Sequence, residues 1–421
     1  MVAHPVRDFL GHAAHAVTQT KHPVGPPAGS RQSRIALNAT NFFLAEVVTV
    51  VVPFLSDYLR DQKWHYDQIG MATSMAGFGV LLAETPVGLL IDRILRRRRI
   101  LAITAVLVGL CFGAIPLVPA EPTYINALMF FAGINESFFT PLLGALALAL
   151  AGRRGFNKMM GVNQAWNHVG SIVSAVAAMG IVAWAGVHSV FYGLAAVSFF
   201  SASCVMLIRR DDLHEPPRGA KRDKDAMAKL RAIFKDRRVP ILLACTALFH
   251  IANAPVMPLV ALNMRRHGGS STQIAAMVLI AQGTMVAVAW AASILGDRWG
   301  RKPVLAIGYV VLPIRILLYT VVESPTAIMA IQVLDGMGAG IYGVITASIC
   351  SDLAGKQGRF NTLMGIVTTA LASGTMFGPM IGGQVVEHLG FKMAFLVLAC
   401  VGAAGAALFV TQMPETADDQ D

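Results

Sequence analysis

Charged residues are scarce in this chain of 421 residues. Asp, Glu, Lys and Arg together make up 14% of the sequence, whereas a soluble domain carries about 25%. The deficit extends along the whole chain, which excludes an ordinary soluble domain and predicts a polytopic membrane protein. The formal net charge of +10 does not indicate a nucleic-acid partner, because the basic residues fall in short segments between apolar runs.

Cysteine is also rare. The five cysteines are dispersed and all fall inside apolar runs, with no CxxC pair: Cys111, Cys204, Cys245, Cys350 and Cys400. Such thiols are typical of small buried residues in helices, so neither a disulfide framework nor a metal site is predicted. The sequence also lacks a nucleotide-binding loop and a nucleophile triad. We therefore expect neither an enzyme nor an ATP-driven pump, and no cofactor.

Long apolar runs are what the sequence has instead, with 55% apolar residues. A membrane-spanning helix needs about 20 mostly apolar residues, and twelve segments reach that length. They cover residues 35–57, 67–91, 100–119, 124–151, 160–185, 188–208, 239–263, 271–296, 303–323, 325–352, 361–388 and 391–411. The predicted fold class is an all-α membrane protein with twelve transmembrane helices.

The distribution of Lys and Arg predicts the orientation of these helices. With twelve helices, both termini lie on one side of the membrane. The tails and loops on that side contain 28 Lys and Arg residues, against five on the opposite side. Both termini are therefore predicted to be cytoplasmic. We expect a multi-pass protein of the bacterial inner (plasma) membrane, and a monomer.

One charged segment, residues 209–238, separates six apolar runs from the following six. Its first part has the Pro, Gly and alternating charge of a linker, and its second part has apolar residues at the spacing of a short helix on the membrane surface. The predicted organisation is a cytoplasmic tail 1–34, a six-helix bundle 35–208, a linker 209–238, a second bundle 239–411 and a cytoplasmic tail 412–421.

Two pairs of matching segments indicate an internal repeat. The segment GLLIDRILRRRR at 88–99 is matched by GDRWGRKP at 296–303, with their Asp residues 205 positions apart. The segment FNKMMG at 156–161 is matched by FNTLMG at 360–365, with an offset of 204. Because two independent pairs agree within one residue, the halves are predicted to be parallel repeats with a solute site near the midplane between them.

These features resemble the major facilitator superfamily of transporters, over about residues 35–411. The family's loop signature, G-x-x-x-D-R-x-G-R-R, is matched here with Leu95 in place of the inner Gly. The matching residues are Gly88, Asp92, Arg93, Arg96 and Arg97, then Asp297, Arg298, Gly300, Arg301 and Lys302 in a second copy, while Pro414, Glu415 and Thr416 resemble the family's common end. The resemblance implies two pseudo-symmetric six-helix bundles that transport a solute by alternating access.

The resemblance also implies that the signature loop is a conformational gate, which locks the two halves at the cytoplasmic face. A carboxylate there can meet the N-terminus of an opposing helix and nearby Arg side chains. The residues expected in this gate are Gly88, Asp92, Arg93, Arg96, Asp297, Arg298 and Arg301. The alternative is that the basic residues only hold the loop on the cytoplasmic side, and we favour that role for 97–99.

A Gly-Pro segment in the eleventh apolar run reads G-x-x-x-G-P-x-x-G-G. It resembles a motif that marks drug–proton antiporters in the fifth helix of the family, whereas here it lies in the equivalent eleventh helix. Small residues at every fourth position allow two helices to approach closely. The sequence therefore predicts a helix-packing role for Gly374, Gly378, Pro379, Gly382 and Gly383.

Polar residues inside the apolar runs are candidates for the transport site, because such residues are costly at membrane depth. The predicted proton-coupling or substrate cavity contains Glu46, Asn135, Glu136, Asn163, Asn167, His168, His250 and Asn253. Glu136 is the main candidate for carrying a proton. Arg315 and Asp335 are expected to form a structural ion pair.

Glu46 and His250 are related by the repeat, because their numbers differ by 204. They occupy equivalent positions in the first and seventh runs. There they either exchange a proton, bind solute or form a structural hydrogen-bonded pair.

The predicted function is secondary transport of a small organic solute, coupled to protons and directed toward export. Uptake by a symporter or uniporter is the alternative within the same class. A non-transporting receptor or scaffold with a transporter fold is the alternative from another class. We expect lipid, solute and protons to be the partners.

Overall fold

The computed structural model describes residues 29–91, 96–119, 121–213, 234–354 and 360–417. All regular secondary structure in these ranges is helical. Most of the predicted N-terminal tail, the signature-loop residues 92–95 and most of the predicted linker with its surface helix lie outside the described residues.

The first half of the chain forms six helical passes. They are α1 (Arg31–Asp61), α2 (Tyr66–Ile91), α3 (Arg97–Ala114), α4 (Pro122–Gly152), α5 (Met159–Ala185) and α6 (His188–Met206). The first part of α4, Pro122–Glu136, is followed by a helix Phe139–Ala185, which changes direction at Gly152, where φ is 63°. This left-handed conformation favours glycine, and it separates α4 from α5.

The second half forms six more passes. They are α7 (Arg238–Arg266), α8 (Ser271–Trp299), α9 (Arg301–Leu318), α10 (Pro325–Ala354), α11 (360–389) and α12 (391–412). The helix Phe360–Gln412 contains both α11 and α12 and changes direction at Gly390. α7 is interrupted between Asn253 and Val256, where Pro255 has no N–H to donate. The described residues thus form the twelve helices that the apolar runs predict.

Eight helical segments in the described ranges are long and apolar enough to cross a membrane by length and composition. They include α3 to α8, α10 and the segment Thr362–Gln412, which contains both α11 and α12. α1 begins four residues before the apolar run, because Ser30 caps its N-terminus by accepting a hydrogen bond from the Ser33 N–H.

The backbone repeats itself between the two halves. Gly186, between α5 and α6, and Gly390, between α11 and α12, have the same φ of 82° and ψ of 170°. Lys63, between α1 and α2, and Gly268, between α7 and α8, are both left-handed, with φ of 65° and 82°. These pairs are separated by 204 and 205 residues, so the predicted repeat is present in the chain's turns.

Helix packing follows the same repeat. α2 packs against α4 and α3 against α6 in the first bundle, while α8 packs against α10 and α9 against α12 in the second. α1 packs against α5, with Gly170 against the backbone of Phe42. α7 packs against α11, with Gly374 against His250. Small residues allow this close approach of helix backbones.

The two bundles meet mainly through α2 and α11. Gly70 lies against the backbone of Pro379 and Gly383, and Gly77 lies against the backbone of Thr375 and Met376. α8 of the second bundle also contacts the helix Phe139–Ala185 of the first.

Apolar side chains occupy both the interior and the outside of the bundles. Phe54, Phe112 and Phe395 are fully buried between helices, whereas Trp184 and Trp290 are 91% and 61% exposed. Large exposed apolar side chains on a helical bundle are suited to contact with lipid chains rather than water.

Gly340→Ala is expected to destabilise the protein. A Cβ atom there would lie 2.7 Å from the carbonyl oxygen of Met285 in α8 and 3.0 Å from the Ala289 nitrogen. Overpacking of this kind costs about 1–3 kcal/mol, so the thermal unfolding temperature in detergent should fall. The control is Gly343→Ala in the same helix, where no heavy atom lies within 4 Å. Equal unfolding temperatures for the two variants would contradict the close α8–α10 packing.

Candidate functional site

Charged contacts join the two bundles at the end of the molecule remote from the start of α1 and the end of α12. Arg265, at the end of α7, lies 2.7 Å from an Asp57 carboxylate oxygen and 2.9 Å from an Asp61 oxygen, both on α1. Ser271, at the start of α8, donates a 2.7 Å hydrogen bond to Asp57. Asp57 is 1% exposed, so its charge depends on these partners. Asp61 and Arg265 are 204 residues apart and occupy equivalent positions in the two repeats.

A second inter-bundle contact lies at the same end. Glu387 of α11 accepts a 2.8 Å hydrogen bond from the Tyr66 N–H, and its other oxygen lies 2.9 Å from His65 Nδ1. Arg60 lies over the Tyr66 ring, 4.3 Å from its centroid. We call the two contacts the inter-bundle clamp, formed by Asp57, Asp61, His65, Tyr66, Arg265, Ser271 and Glu387. No sequence motif marks these residues, and the 204-residue offset between Asp61 and Arg265 is the one sequence signal that relates two of them.

Glu84 lies farther along the interface between α2 and α11. Its side chain is half-buried beside the hydroxyl of Thr369 on α11. The position of Glu84 is therefore between the bundles rather than toward the interior of its own bundle.

Arg315 is the centre of a buried polar cluster in the second bundle. It is 3% exposed, forms an ion pair with Asp335 of α10, and donates a 2.7 Å hydrogen bond to the Asn253 side-chain oxygen on α7. Removing one partner of a buried ion pair costs about 3–5 kcal/mol. The structure thus places Asn253, a predicted cavity residue, in contact with the predicted ion pair.

His250 lies in an aromatic environment near this cluster. Its ring meets Tyr342 edge to face, with centroids 4.9 Å apart, and Gly374 lies against its Cβ. Its Nε2 is buried without a hydrogen-bond partner among the described residues. The side chain of Glu46, the predicted counterpart of His250, lies outside the described part of the structure, so their pairing stays a prediction.

The amides predicted on α5 are buried to different extents, and one of them contacts α1. Asn167 donates a 3.5 Å hydrogen bond to the Asn41 carbonyl oxygen. Asn163, one turn away, is 1% exposed, and within the described ranges neither its oxygen nor its nitrogen has a hydrogen-bond partner. A buried amide without partners is costly, so Asn163 is suited to bind a polar group of a solute or a water molecule. His168 is half-buried on the same helix.

Glu136 lies apart from these amides. It ends the helix Pro122–Glu136, is half-buried, and lies near the thiol of Cys111 of α3. Asn135 donates a 2.7 Å hydrogen bond to the Phe131 carbonyl oxygen in its own helix. The hydrogen bonds in the described ranges do not join Glu136 to another predicted cavity residue.

The Gly-Pro segment of α11 contacts both bundles. Gly374, Gly378 and Gly382 face α7, where the Cβ position of Gly378 is 2.7 Å from the Ile251 carbonyl oxygen. Pro379 and Gly383 face α2, where Gly383 lies against Gly70. The glycines of one helix therefore permit close contact on two sides.

The first copy of the predicted gate cannot be placed, because Asp92, Arg93 and Leu95 lie outside the described residues and only the backbone of Gly88 is described. Its role stays a prediction. Arg96 is exposed just before α3.

The second copy of the signature contacts residues of its own bundle. Arg301 lies 2.6 Å from Asp297 and 3.3 Å from Asp352 of α10, and it donates a 2.7 Å hydrogen bond to the Gly296 carbonyl oxygen. Arg298 is exposed. These contacts connect α8, α9 and α10 within the second bundle.

Glu415 completes this network from the segment after α12. Its carboxylate accepts backbone N–H hydrogen bonds from Arg301 (2.9 Å) and Lys302 (3.1 Å) at the N-terminus of α9, and from Thr416 and Ala417. Burial raises the pKa of Glu415, but the four N–H donors outweigh burial and hold its pKa below the usual range. The contact thus stabilises the ionised carboxylate.

Metal ligation has no support at these positions. Among the residues that the structure describes, no group of three His, Cys, Asp or Glu side chains is arranged to bind a metal ion.

Glu415→Gln is expected to lower the free energy of unfolding at pH 7 by about 1–2 kcal/mol, because charge-assisted hydrogen bonds become neutral ones. Since folding depresses this pKa, the stabilisation is full above about pH 5 and is lost as pH falls below the ordinary carboxyl range near 4.3. Thermal unfolding of wild type and variant should therefore differ at pH 7 and converge at low pH. Glu323→Gln, at an exposed loop carboxylate, is the control. A difference that persists unchanged below pH 4 would contradict this assignment.

Comparison with known proteins identifies the family. The sequence profile of the Major Facilitator Superfamily matches residues 36–252 and 242–421. An uncharacterized MFS-type transporter of Mycobacterium tuberculosis is 33% identical over 403 residues, which cover 93% of this chain and 95% of the relative. The multi-drug resistance efflux pump PmrA of Streptococcus pneumoniae is 29% identical over 105 residues, 25% of this chain and 26% of PmrA.

A solved structure shares the fold. The crystal structure of a mutant of the nucleoside transporter NupG superimposes with a TM-score of 0.77 at 15% identity, covering 90% of this chain and 100% of that one. The twelve helices, the internal repeat and these matches agree: the chain belongs to the Major Facilitator Superfamily of multi-pass membrane transporters.

Proposed function

We propose that this protein exports a small organic solute by alternating access, driven by the proton gradient. The observation that carries the proposal is the inter-bundle clamp. The clamp joins the two pseudo-symmetric bundles at one end. It consists of side-chain contacts and one backbone N–H donor, so it can break without unfolding any helix. Such a contact suits rocking of one bundle against the other around a central solute site.

The predicted orientation assigns the clamp to one side of the membrane. With cytoplasmic termini, the clamp lies at the outer face, and its closure leaves solute access from the cytoplasm. Such a state loads solute in an export cycle and releases it in an uptake cycle, so it is compatible with export. The similarity over part of the chain to a multi-drug efflux pump is what favours export.

Polar groups inside the bundles support an organic solute with hydrogen-bonding groups. Asn163 of the first bundle and Nε2 of His250 in the second are buried without partners among the described residues. Aromatic rings, including Phe249 and Tyr342, surround His250. Apolar walls with a few polar groups are typical of small-molecule sites.

Glu136 is the residue we propose for proton coupling. It is a half-buried carboxyl group inside a membrane helix, and its contacts described above include the neutral thiol of Cys111 but no basic side chain. An intramembrane carboxyl group without a basic partner can bind and release a proton as access alternates.

The proposal is tested by solute flux in sealed vesicles with an imposed pH gradient, using a panel of labelled drugs and nucleosides. Wild type should transport at least one solute faster with the gradient than without it. Glu136→Gln should lose this acceleration but keep solute exchange at equal pH, because exchange needs no net proton movement. Glu323→Gln, an exposed carboxylate, is the control.

Two outcomes would contradict the proposal. Gradient-independent flux in wild type would remove proton coupling and favour a uniporter. Absence of flux for every solute would favour a receptor or scaffold.

Arg265→Gln is expected to open the clamp. A hydrogen bond to a charged group contributes about 1.5–3 kcal/mol, and each 1.4 kcal/mol is tenfold in population. Ser74 is 1% exposed on α2, between Gly70 and Gly77 on the face that meets α11. In a background without native cysteines, maleimide labelling of Ser74→Cys should therefore accelerate about tenfold or more when Arg265→Gln is added.

Arg266→Gln is the matched control, since Arg266 is the adjacent, exposed arginine. An equal labelling rate for the Arg265 and Arg266 variants would show that the clamp does not hold the bundles together.

A further inference from the structure

The N-terminus of α3 opens into a cavity of about 390 Å³. Five arginines line it, together with three apolar residues: Arg96, Arg97, Arg98, Arg99, Arg210, Leu146, Ala149 and Leu213. None of these described lining residues is acidic. Arg97 Nε is buried without a hydrogen-bond partner among the described residues, whereas Arg98 donates to the carbonyl oxygens of Met206 and Ile208. This concentration of positive charge is suited to an anion.

The second bundle shows what occupies the equivalent place. The first two residues of α9 are Arg301 and Lys302, and their N–H groups donate to the carboxylate of Glu415, from the segment after α12. The first two residues of α3, Arg97 and Arg98, hold the same position in their helix. A helix N-terminus favours a negative group there.

Among the described hydrogen bonds, neither acidic residue after α6 caps α3. Asp211, which the 204-residue offset aligns with Glu415, is exposed. Asp212, in the segment after α6, accepts hydrogen bonds from the Ser30 and Ser33 hydroxyls at the N-terminus of α1. These hydroxyls hold the pKa of Asp212 below its usual range. Arg96, the residue that precedes α3, does not cap the helix with its side chain. In the described residues, the anion present at α9 thus has no counterpart at α3.

We propose that this cavity binds the phosphate of an anionic phospholipid headgroup. Arg97, Arg99 and Arg210 supply charge, the first N–H groups of α3 supply donors, and guanidinium groups suit phosphate geometry. A free phosphate ion would use the same groups.

The exposed face of α3 favours a lipid over a free ion. Arg99 is followed at helical spacing by Ile103, Leu107 and Leu110, which are 57%, 41% and 52% exposed. An acyl chain can lie along this apolar stripe while its headgroup occupies the cavity.

The test is binding of phosphatidylglycerol to the purified full-length chain, measured by native mass spectrometry, with phosphatidylcholine and inorganic phosphate as comparison ligands. Wild type should bind phosphatidylglycerol at least about tenfold more tightly than Arg97→Gln/Arg99→Gln, since each basic residue near a headgroup contributes about 1 kcal/mol. The control Lys235→Gln/Arg237→Gln removes two exposed charges near the N-terminus of α7 and should bind like wild type. If the double variant fails to fold, Arg99→Gln alone, at an exposed side chain, should still weaken binding severalfold.

Each arm has an outcome that would overturn the proposal. Equal binding by wild type and the arginine variants would show that the arginine cavity is not the binding site. Equal affinity for phosphatidylcholine would show that the anionic headgroup is not recognised. Phosphate that binds as tightly as phosphatidylglycerol would make the ligand a free ion and remove the lipid.

Discussion

The close approach of helix backbones at glycine is the contact on which this structure depends. Inside a membrane, helices gain little from the hydrophobic effect and associate through tight packing. Gly70 against Gly383 allows α2 and α11 to touch across the two bundles, and Gly340 against Met285 does the same within the second bundle. Because α2 and α11 form the main contact between bundles, the clamp residues near their ends come within hydrogen-bond distance. The clamp side chains can therefore pair because glycine packing holds α2 and α11 close together.

The twelve helices were predictable because apolar length and the 204-residue offset are properties of the sequence itself. The Arg315–Asp335 contact was also accessible, since both residues are ionisable groups inside adjacent apolar runs. The contacts of the clamp were not predictable from the sequence, because Arg265 and Asp57 lie near loops, where charged residues are expected in any membrane protein. Their pairing depends on how two bundles meet, and no local pattern encodes that. Asn253 illustrates a related limit, because its position in an apolar run does not tell whether it meets solute or Arg315.

The two bundles have similar acidic residues that make different contacts at the end where α1 starts and α12 finishes. Glu415 binds the N-terminus of α9, whereas Asp212 binds two serines at the N-terminus of α1. A carboxylate after the sixth helix of each repeat therefore contacts the N-terminus of a different helix. The second bundle is held together by its own residues at this end, while the first retains an arginine-lined cavity. Repeated sequences can thus keep one fold while their loops acquire separate contacts.

The ion pair between Asp61 and Arg265 has a consequence for the origin of the chain. In a symmetric dimer of identical six-helix units, a residue that meets its own copy on the twofold axis meets an identical side chain. Two aspartates or two arginines there would repel each other. An attractive pair at this position requires two halves whose sequences differ. The contact therefore fits a duplicated chain in which equivalent positions of the two halves have acquired opposite charges.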